Sequence, residues 1–477
     1  MKIRLLLCTA LLLAIFISYA QRPLTIACIG ASITEGARLE DPVHHSYPGQ
    51  LQGLLGKDYR VLNFGVSSAT LLRKGDLSYW NTGAYKAALQ SQPDIVFIDL
   101  GGNDSKLINR IHLNDMERDC RDLIHSFSAL PSHPRIILLL PFPSFVKDTS
   151  QIWDPVIVSG IIPPIQRVAF EENMEVLDMH SLFVDKEARM PDKIHPDLDG
   201  TKIIAERLYA QVVQKTDKDY DLSGHLGLPV KISCFYGYRC ASLTLQGRDC
   251  KFVSPKQAAP GHPWVWRARF WGVEPQADIA LLERGFHIVY CDVVELFGNK
   301  EAIDRWDAWY RLLHTAGLAS RVALEGMSRG AVYAFNWAAA HPDQVAAVYV
   351  DNPVLDLKSW PGGLGKLPAA GKELQQLRSD YGLTSDKALA TFKGSPIDKT
   401  VAIVQGKYPI LILCADADEA VAPEENTLLF EKKIRSLGGD ITVIHKPGFR
   451  HHPHSLPNPA PIVDFIVGAY QERPAVE

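Results

Sequence analysis

The chain has 477 residues, of which 47% are hydrophobic, 22% charged and 9% aromatic, and this excludes a disordered or low-complexity protein. With 50 basic and 54 acidic residues the net charge is −4, which gives no electrostatic footprint for nucleic acid or an anionic membrane surface. At about 100–200 residues per domain, the length leaves open one large domain or several smaller ones.

The N-terminus opens with Lys2 and Arg4, continues as an apolar run over residues 5–17, and ends in Ser18-Tyr19-Ala20, with small residues at −3 and −1. This pattern predicts a secretory signal removed before Gln21. The run is shorter than the roughly 20 apolar residues of a membrane span. Cys8 lies inside it, too early for a lipoprotein signal. Removing Lys2 and Arg4 with the leader takes the charge from −4 to −6. Seven cysteines then remain, an odd number that leaves at least one thiol free. Cys28, Cys291 and Cys414 sit in apolar, strand-like runs and read as core. Cys240 and Cys250 flank a hairpin with its turn near Gln246-Gly247-Arg248, so a bridge between them is one alternative in an oxidising compartment. No C-x-x-C pair supports a zinc ribbon or a thioredoxin-type site.

From Pro23 onward, short apolar runs alternate with amphipathic stretches. LTIACIG, RVLNFG, DIVFIDLG, RIILLLP and EVLDMH read as buried strands, with helices over 46–55, 113–127 and 199–215. The alternation predicts a parallel sheet covered on both faces. The polar stretch KTDKDYDLSGHLGLP reads as a linker. A second alternation follows: VKISCFYGY, WVWRARFWG, GFHIVYCDV, RVALEGM, VAAVYVDNP, PILILCADAD and ITVIHKPG as strands, with helices over 302–315 and 330–340. Residues 361–408 lack strong strands and read as a cap-like insertion. The expected organisation is therefore a leader at 1–20, an α/β unit at 21–215, a linker at 216–223 and a second α/β unit at 224–477.

In the first unit, the first strand runs into Gly30-Ala31-Ser32, the second ends at Asn63-Phe64-Gly65, the third leads to Gly101-Gly102-Asn103-Asp104, and Asp192-Lys193-Ile194-His195 precedes the last helix. A serine past a parallel strand lies at the carboxyl edge of the sheet, where α/β ligands bind. Its hydroxyl is a weak nucleophile until a base such as His195 accepts the proton. Asp192, three residues earlier, can reach the other imidazole nitrogen. The Ser32 and Gly65 amides and the Asn103 side chain are the expected oxyanion donors. These four blocks resemble the SGNH (GDSL-type) hydrolase family over about residues 22–215. The resemblance implies a flavodoxin-like three-layer α/β/α fold, with Ser32 as nucleophile and Asp192 and His195 as the acid–base pair. Ala31 stands where that family commonly carries a supporting Asp.

In the second unit, a strand leads into Gly326-Met327-Ser328-Arg329-Gly330 and then a helical stretch. This is G-x-S-x-G in the strand–turn–helix setting that gives the motif meaning. The Arg329 amide at the helix start faces a developing oxyanion, and a second amide is expected after WVWRARF, from Trp271 or Gly272. Later come Asp416 and Asp418, then His451, His452 and His454. The segment resembles the α/β-hydrolase fold over about residues 222–477. That resemblance favours Asp418 over Asp416 and His451 over His452, and points to polysaccharide esterases of the acetyl-xylan-esterase-like and pectin-methylesterase-like kinds. Without a second ligand cluster, the histidines are not expected to bind metal, and no cofactor is implied. Arg267, Trp266, Trp360 and His452 are expected to contact substrate, since aromatic faces suit sugar rings and guanidinium suits a uronate. Trp306, Trp309 and Trp337 are expected in the core. His44, His45 and Tyr47 rim the first pocket or lie on an exposed loop.

The expectation is a secreted serine esterase with two sites, cleaving acetyl or methyl esters on a polysaccharide or oligosaccharide, with no nucleic-acid partner and no membrane anchor. Alternatives are one catalytic unit beside a glycan-binding or structural module, and a general short-chain esterase or lipase. Neither the glycan nor the oligomeric state is encoded legibly.

Overall fold

The computed structural model describes residues 22–472. The expected leader lies outside the described residues. Two sheets organise the chain. The first holds β1 (Leu24–Gly30), β2 (Tyr59–Gly65), β3 (Ile95–Asp99), β4 (Arg135–Leu140) and β5 (Glu175–Asp178) in the order β2-β1-β3-β4-β5. All four pairings are parallel. β1 and β3 are buried almost throughout because helices cover both faces. Residue alternation splits the core. Ile26, Cys28 and Phe97 face helices Tyr47–Leu55 and Leu198–Val213, whereas Ala27, Ile29, Val96 and Ile98 face helices Met116–Ser128 and Ile162–Glu171. This is a three-layer α/β/α arrangement.

The second sheet holds nine strands: β6 (Lys231–Phe235), β7 (Tyr238–Leu245), β8 (Arg248–Ser254), β9 (Trp264–Arg267), β10 (His287–Cys291), β11 (Val322–Met327), β12 (Val345–Asp351), β13 (Ile410–Ala415) and β14 (Ile441–Lys446). Their order is β14-β13-β12-β11-β9-β10-β8-β7-β6. Strands β9 to β14 pair in parallel, and β6, β7 and β8 add an antiparallel edge. The β7–β8 turn places Gln246 and Gly247 at φ +50° and +77°, the left-handed pair that matches strand twist in a two-residue hairpin. Between β12 and β13 lie helices Gly371–Tyr381, Asp386–Ala390 and Thr400–Gln405.

The hairpin register decides between the alternatives left open for Cys240 and Cys250. Cys240 pairs across the hairpin with Val253, and Cys250 with Leu243, so the two sulfurs are out of register. All seven described cysteines are free thiols. One correction concerns the tryptophans. Trp266 is fully buried and stacked on Trp306 at 4.2 Å, with Trp264 and Trp337 beside it. Strand β9 is central and covered on both faces, so its aromatic residues fill the core instead of lining a pocket.

The two sheets are joined by more than the connecting chain. One apolar cluster includes Val176 of the first sheet with Ile165 and Val168 of its covering helix Ile162–Glu171, and Phe235, Tyr238 and Val253 of the second sheet. Across the same boundary the Arg207 guanidinium meets Glu283 at 2.7 Å, both nearly buried, and the Asp178 amide donates to Glu283 at 2.6 Å. In the connecting stretch, Tyr220 stacks on His262 at 3.5 Å and the His262 ring bonds Asp217 at 3.0 Å.

Candidate active sites

Ser32 follows the carboxyl end of β1 and opens a short helix, Ser32–Glu35. His195 Nε2 lies 2.8 Å from Ser32 Oγ, and His195 Nδ1 lies 2.7 Å from Asp192 Oδ2. The other carboxylate oxygen accepts the His195 amide at 2.7 Å and the Ile194 amide at 3.1 Å. Burial opposes ionisation of Asp192, but the His195 backbone and ring bonds outweigh it and hold the carboxyl below its usual range. Lys193, at φ +71°, gives the turn its tightness. Ser32 and Asn103 line one cleft with Ala31, Ile33, Asp99 and Phe142. Asn103 is fixed by donating one amide hydrogen to the Ala69 carbonyl at 3.1 Å, which leaves its second hydrogen for an oxyanion. His45 shares an open groove with Asp192 and His195, while Tyr47 is buried with its hydroxyl 2.9 Å from Thr34. His44 is exposed and bonds Asp41.

Gly65 does not fit the donor role. Its amide is already given to Asn63 Oδ1 at 2.9 Å. A glycine is needed there for space, since a Cβ would lie 2.2 Å from the Glu35 backbone nitrogen.

Ser328 sits at φ +49° between β11 and the helix Gly330–Ala340, the strained turn that lifts a hydroxyl out of the sheet edge. A Cβ on Gly326 would meet Gly330 backbone at 2.7 Å, so the turn closes only with glycine. His451 Nε2 is 2.9 Å from Ser328 Oγ, and His451 Nδ1 is 2.7 Å from Asp418 Oδ2. Asp418 Oδ1 accepts the Ala420 and Val421 amides, each at 2.8 Å. The rival residues separate clearly. Asp416 is exposed and bonds His445 at 2.6 Å, and His452 is exposed beside the His451 ring.

Arg329 caps the helix after Ser328, and its guanidinium bonds Glu373 from helix Gly371–Tyr381 and lies 4.5 Å over the Phe297 ring. Trp360 lies 6.3 Å from Phe297, which brings it into the same neighbourhood. Arg267 is elsewhere. It is 1% exposed, ion-paired with Asp278 and Glu325, and it braces the next loop by donating to the Phe270 and Val273 carbonyls. It is a structural cation with no free face for substrate. Of the loop after β9, Arg269 packs against Gly330, within 3.5 Å of a Cβ placed there, whereas the Trp271 indole lies against Phe235 and Tyr290. The Arg269 amide nitrogen lies 3.8 Å from a Cβ placed on Gly330, which makes it a further candidate for the second donor.

Two residues escaped the sequence reading. Asn352 donates to the His451 carbonyl at 2.8 Å and accepts the Ala415 amide at 2.8 Å, which ties the His loop to β13. Asp351 bonds Lys446 at 2.9 Å, the Ser455 amide at 2.6 Å and His454 Nδ1 at 3.3 Å, while its carbonyl accepts the Ser328 amide at 2.8 Å. The only signal in sequence was a DN pair after an apolar strand.

Among the described residues no helix is long and apolar enough to cross a membrane. The chain is 38% identical over 205 residues to an acetylxylan esterase of Xylanibacter ruminicola, a match that covers 39% of this chain and 42% of that protein. Similar solved structures include a Mycobacterium tuberculosis puromycin-hydrolyzing peptidase (16% identity, TM-score 0.37, 48% of this chain and 38% of that one). A Pyrococcus horikoshii acylaminoacyl peptidase is similar at 16% identity and TM-score 0.37, over 54% and 44% of the two chains. Residues 28–203 match the GDSL-like Lipase/Acylhydrolase family model, so this mixed α/β chain carries a GDSL-like domain on its first sheet.

Proposed function

We propose that the protein is a secreted carbohydrate esterase with two independent serine sites. In this reading the Ser32 site removes acetyl groups from a plant polysaccharide, and the Ser328 site cleaves an acetyl or methyl ester on the same class of substrate, pectin included. The observation that carries it is the occurrence of two complete Ser–His–Asp relays in one chain, each with both hydrogen bonds at 2.7–2.9 Å. The GDSL-like match and the acetylxylan esterase relative support the first half of the reading, and the apolar leader supports export.

The chemistry is the same at each site. The serine oxygen attacks the ester carbonyl while histidine Nε2 takes its proton, and the aspartate stabilises the imidazolium. At the first site the Ser32 amide and Asn103 receive the oxyanion; at the second, the amides of Arg329 and Arg269 do so. Histidine then protonates the departing alcohol, and water releases the acyl group by the reverse relay. For an acetylated sugar the acyl-enzyme is acetyl. For a methyl uronate it is the sugar acid, and methanol leaves.

Ser32→Ala and Ser328→Ala should each remove one activity by at least about a thousandfold and spare the other. Release of acetate and methanol from acetylated and methylated polysaccharides, with fluorophosphonate labelling of each serine followed by mass spectrometry, checks this. Labelling of a single serine would favour one catalytic unit beside a binding module. Preference for long-chain nitrophenyl esters would favour a lipase.

A further inference from the structure

Beside the second site, three imidazoles crowd together. The rings of His451, His452 and His454 lie 5.0, 5.0 and 4.8 Å apart, and one nitrogen from each falls within 4.8 Å of the others. Two of the three are held in the same way. Asp418 engages His451 at Nδ1, and Asp351 engages His454 at Nδ1, so each ring presents Nε2. A carboxylate on one nitrogen and a metal on the other is how proteins orient histidine ligands. The His454 side chain is 3% exposed, and its Nε2 has no hydrogen-bond partner. A buried lone pair with no donor is costly unless something fills the role. His452 stands at the surface as the point of entry.

We propose that His451, His452 and His454 form an inhibitory site for a borderline divalent metal ion, zinc foremost, which silences the Ser328 site and leaves the Ser32 site working. Three neutral imidazoles suit zinc, copper and nickel and do not suit calcium or magnesium, which take oxygen ligands. Binding claims His451 Nε2, the atom that otherwise accepts the Ser328 proton, so metal and catalysis exclude one another. Ser32 has no counterpart: among the described residues, the other cluster with metal spacing is Cys414, Asp416 and His445, not His195. The inhibitory consequence rests on the reading of Ser328 as a nucleophile; the binding site itself does not.

The test uses the full chain stripped with a chelator and then titrated with zinc chloride. Competition with a chromogenic zinc chelator reads binding, and fluorophosphonate labelling of the Ser32 and Ser328 peptides reads each site separately. One zinc per chain should bind, and Ser328 labelling should fall while Ser32 labelling holds. His452→Ala, an exposed change, should weaken binding and raise the inhibitory concentration by at least about tenfold, since even outer-sphere changes cost that much. His454→Gln should act in the same direction, and magnesium should have no effect. Zinc affinity unchanged in both variants, or equal loss of labelling at the two serines, overturns the proposal. If Ser328 never labels, even without metal, the two-site reading fails, and the sensitivity of zinc binding to His452→Ala alone decides the metal site.

Discussion

A carboxyl group taken out of water keeps its proton, and Asp99 is such a group. It lines the Ser32 cleft, is nearly buried, and receives a hydrogen bond from Thr34 Oγ1 at 2.9 Å. Burial pushes its pKa up to about 6. The unfolded value is about 3.9, so between those values the folded chain holds a proton the unfolded chain has lost. Stability from this group is therefore full below pH about 4 and declines as pH rises to about 6. Asp99→Asn can still accept from Thr34 but cannot ionise. It should match the parent near pH 4 and exceed it by about 2–3 kcal/mol at pH 7, read by urea denaturation across that range. An identical pH profile for the two proteins would refute the assignment. Asp104, pushed up to about 6 by the same cause, stays in both and does not enter the difference.

At the scale of an element, β9 and its following loop show how one strand serves two ends. Trp264 and Trp266 anchor it in the core, while Arg267 reaches under the loop to hold the Phe270 and Val273 carbonyls. That cation sits between two buried carboxyls, and burial together with Asp278 pushes the Glu325 carboxyl up. Removing the cation leaves them uncompensated. Arg267→Met should cost about 3–5 kcal/mol and free the loop that carries Arg269. Fluorophosphonate labelling on heating should then be lost at Ser328 well before Ser32. Parallel loss would mean that the bracing role is wrong.

For the whole molecule, the question is whether two sheets act as one body. The shared apolar cluster and the buried Arg207–Glu283 pair couple them. Breaking such a pair by removing one partner is far worse than never having had it. Glu283→Ala should destabilise by about 3–5 kcal/mol. In calorimetry, the unfolding endotherm should separate toward two transitions, one for each sheet. An endotherm with unchanged midpoint and shape would show that the boundary carries no coupling.

Much of this was legible in the chain. Alternating apolar runs and helical stretches specify parallel sheets, and the G-x-S-x-G turn and the Asp192–His195 spacing are local, so neighbouring residues alone determine them. The choice of Asp418 over Asp416, or His451 over His452, is not local. It depends on where the ends of β11, β13 and β14 lie relative to one another, which strand order and register decide. The same holds for misplaced side chains. Arg267 and Trp266 are residue types that suit a sugar-binding pocket, yet β9 lies mid-sheet and both side chains are buried in protein. Gly65 is a donor candidate by its place at the end of a strand, yet its amide is taken locally by Asn63, and the close approach of the Glu35 backbone, a tertiary contact, is what requires a glycine there. Sequence by itself determined the chemistry available and the local turns that present it. Tertiary structure decided which groups meet, because distance between strands is set by packing and not by separation along the chain.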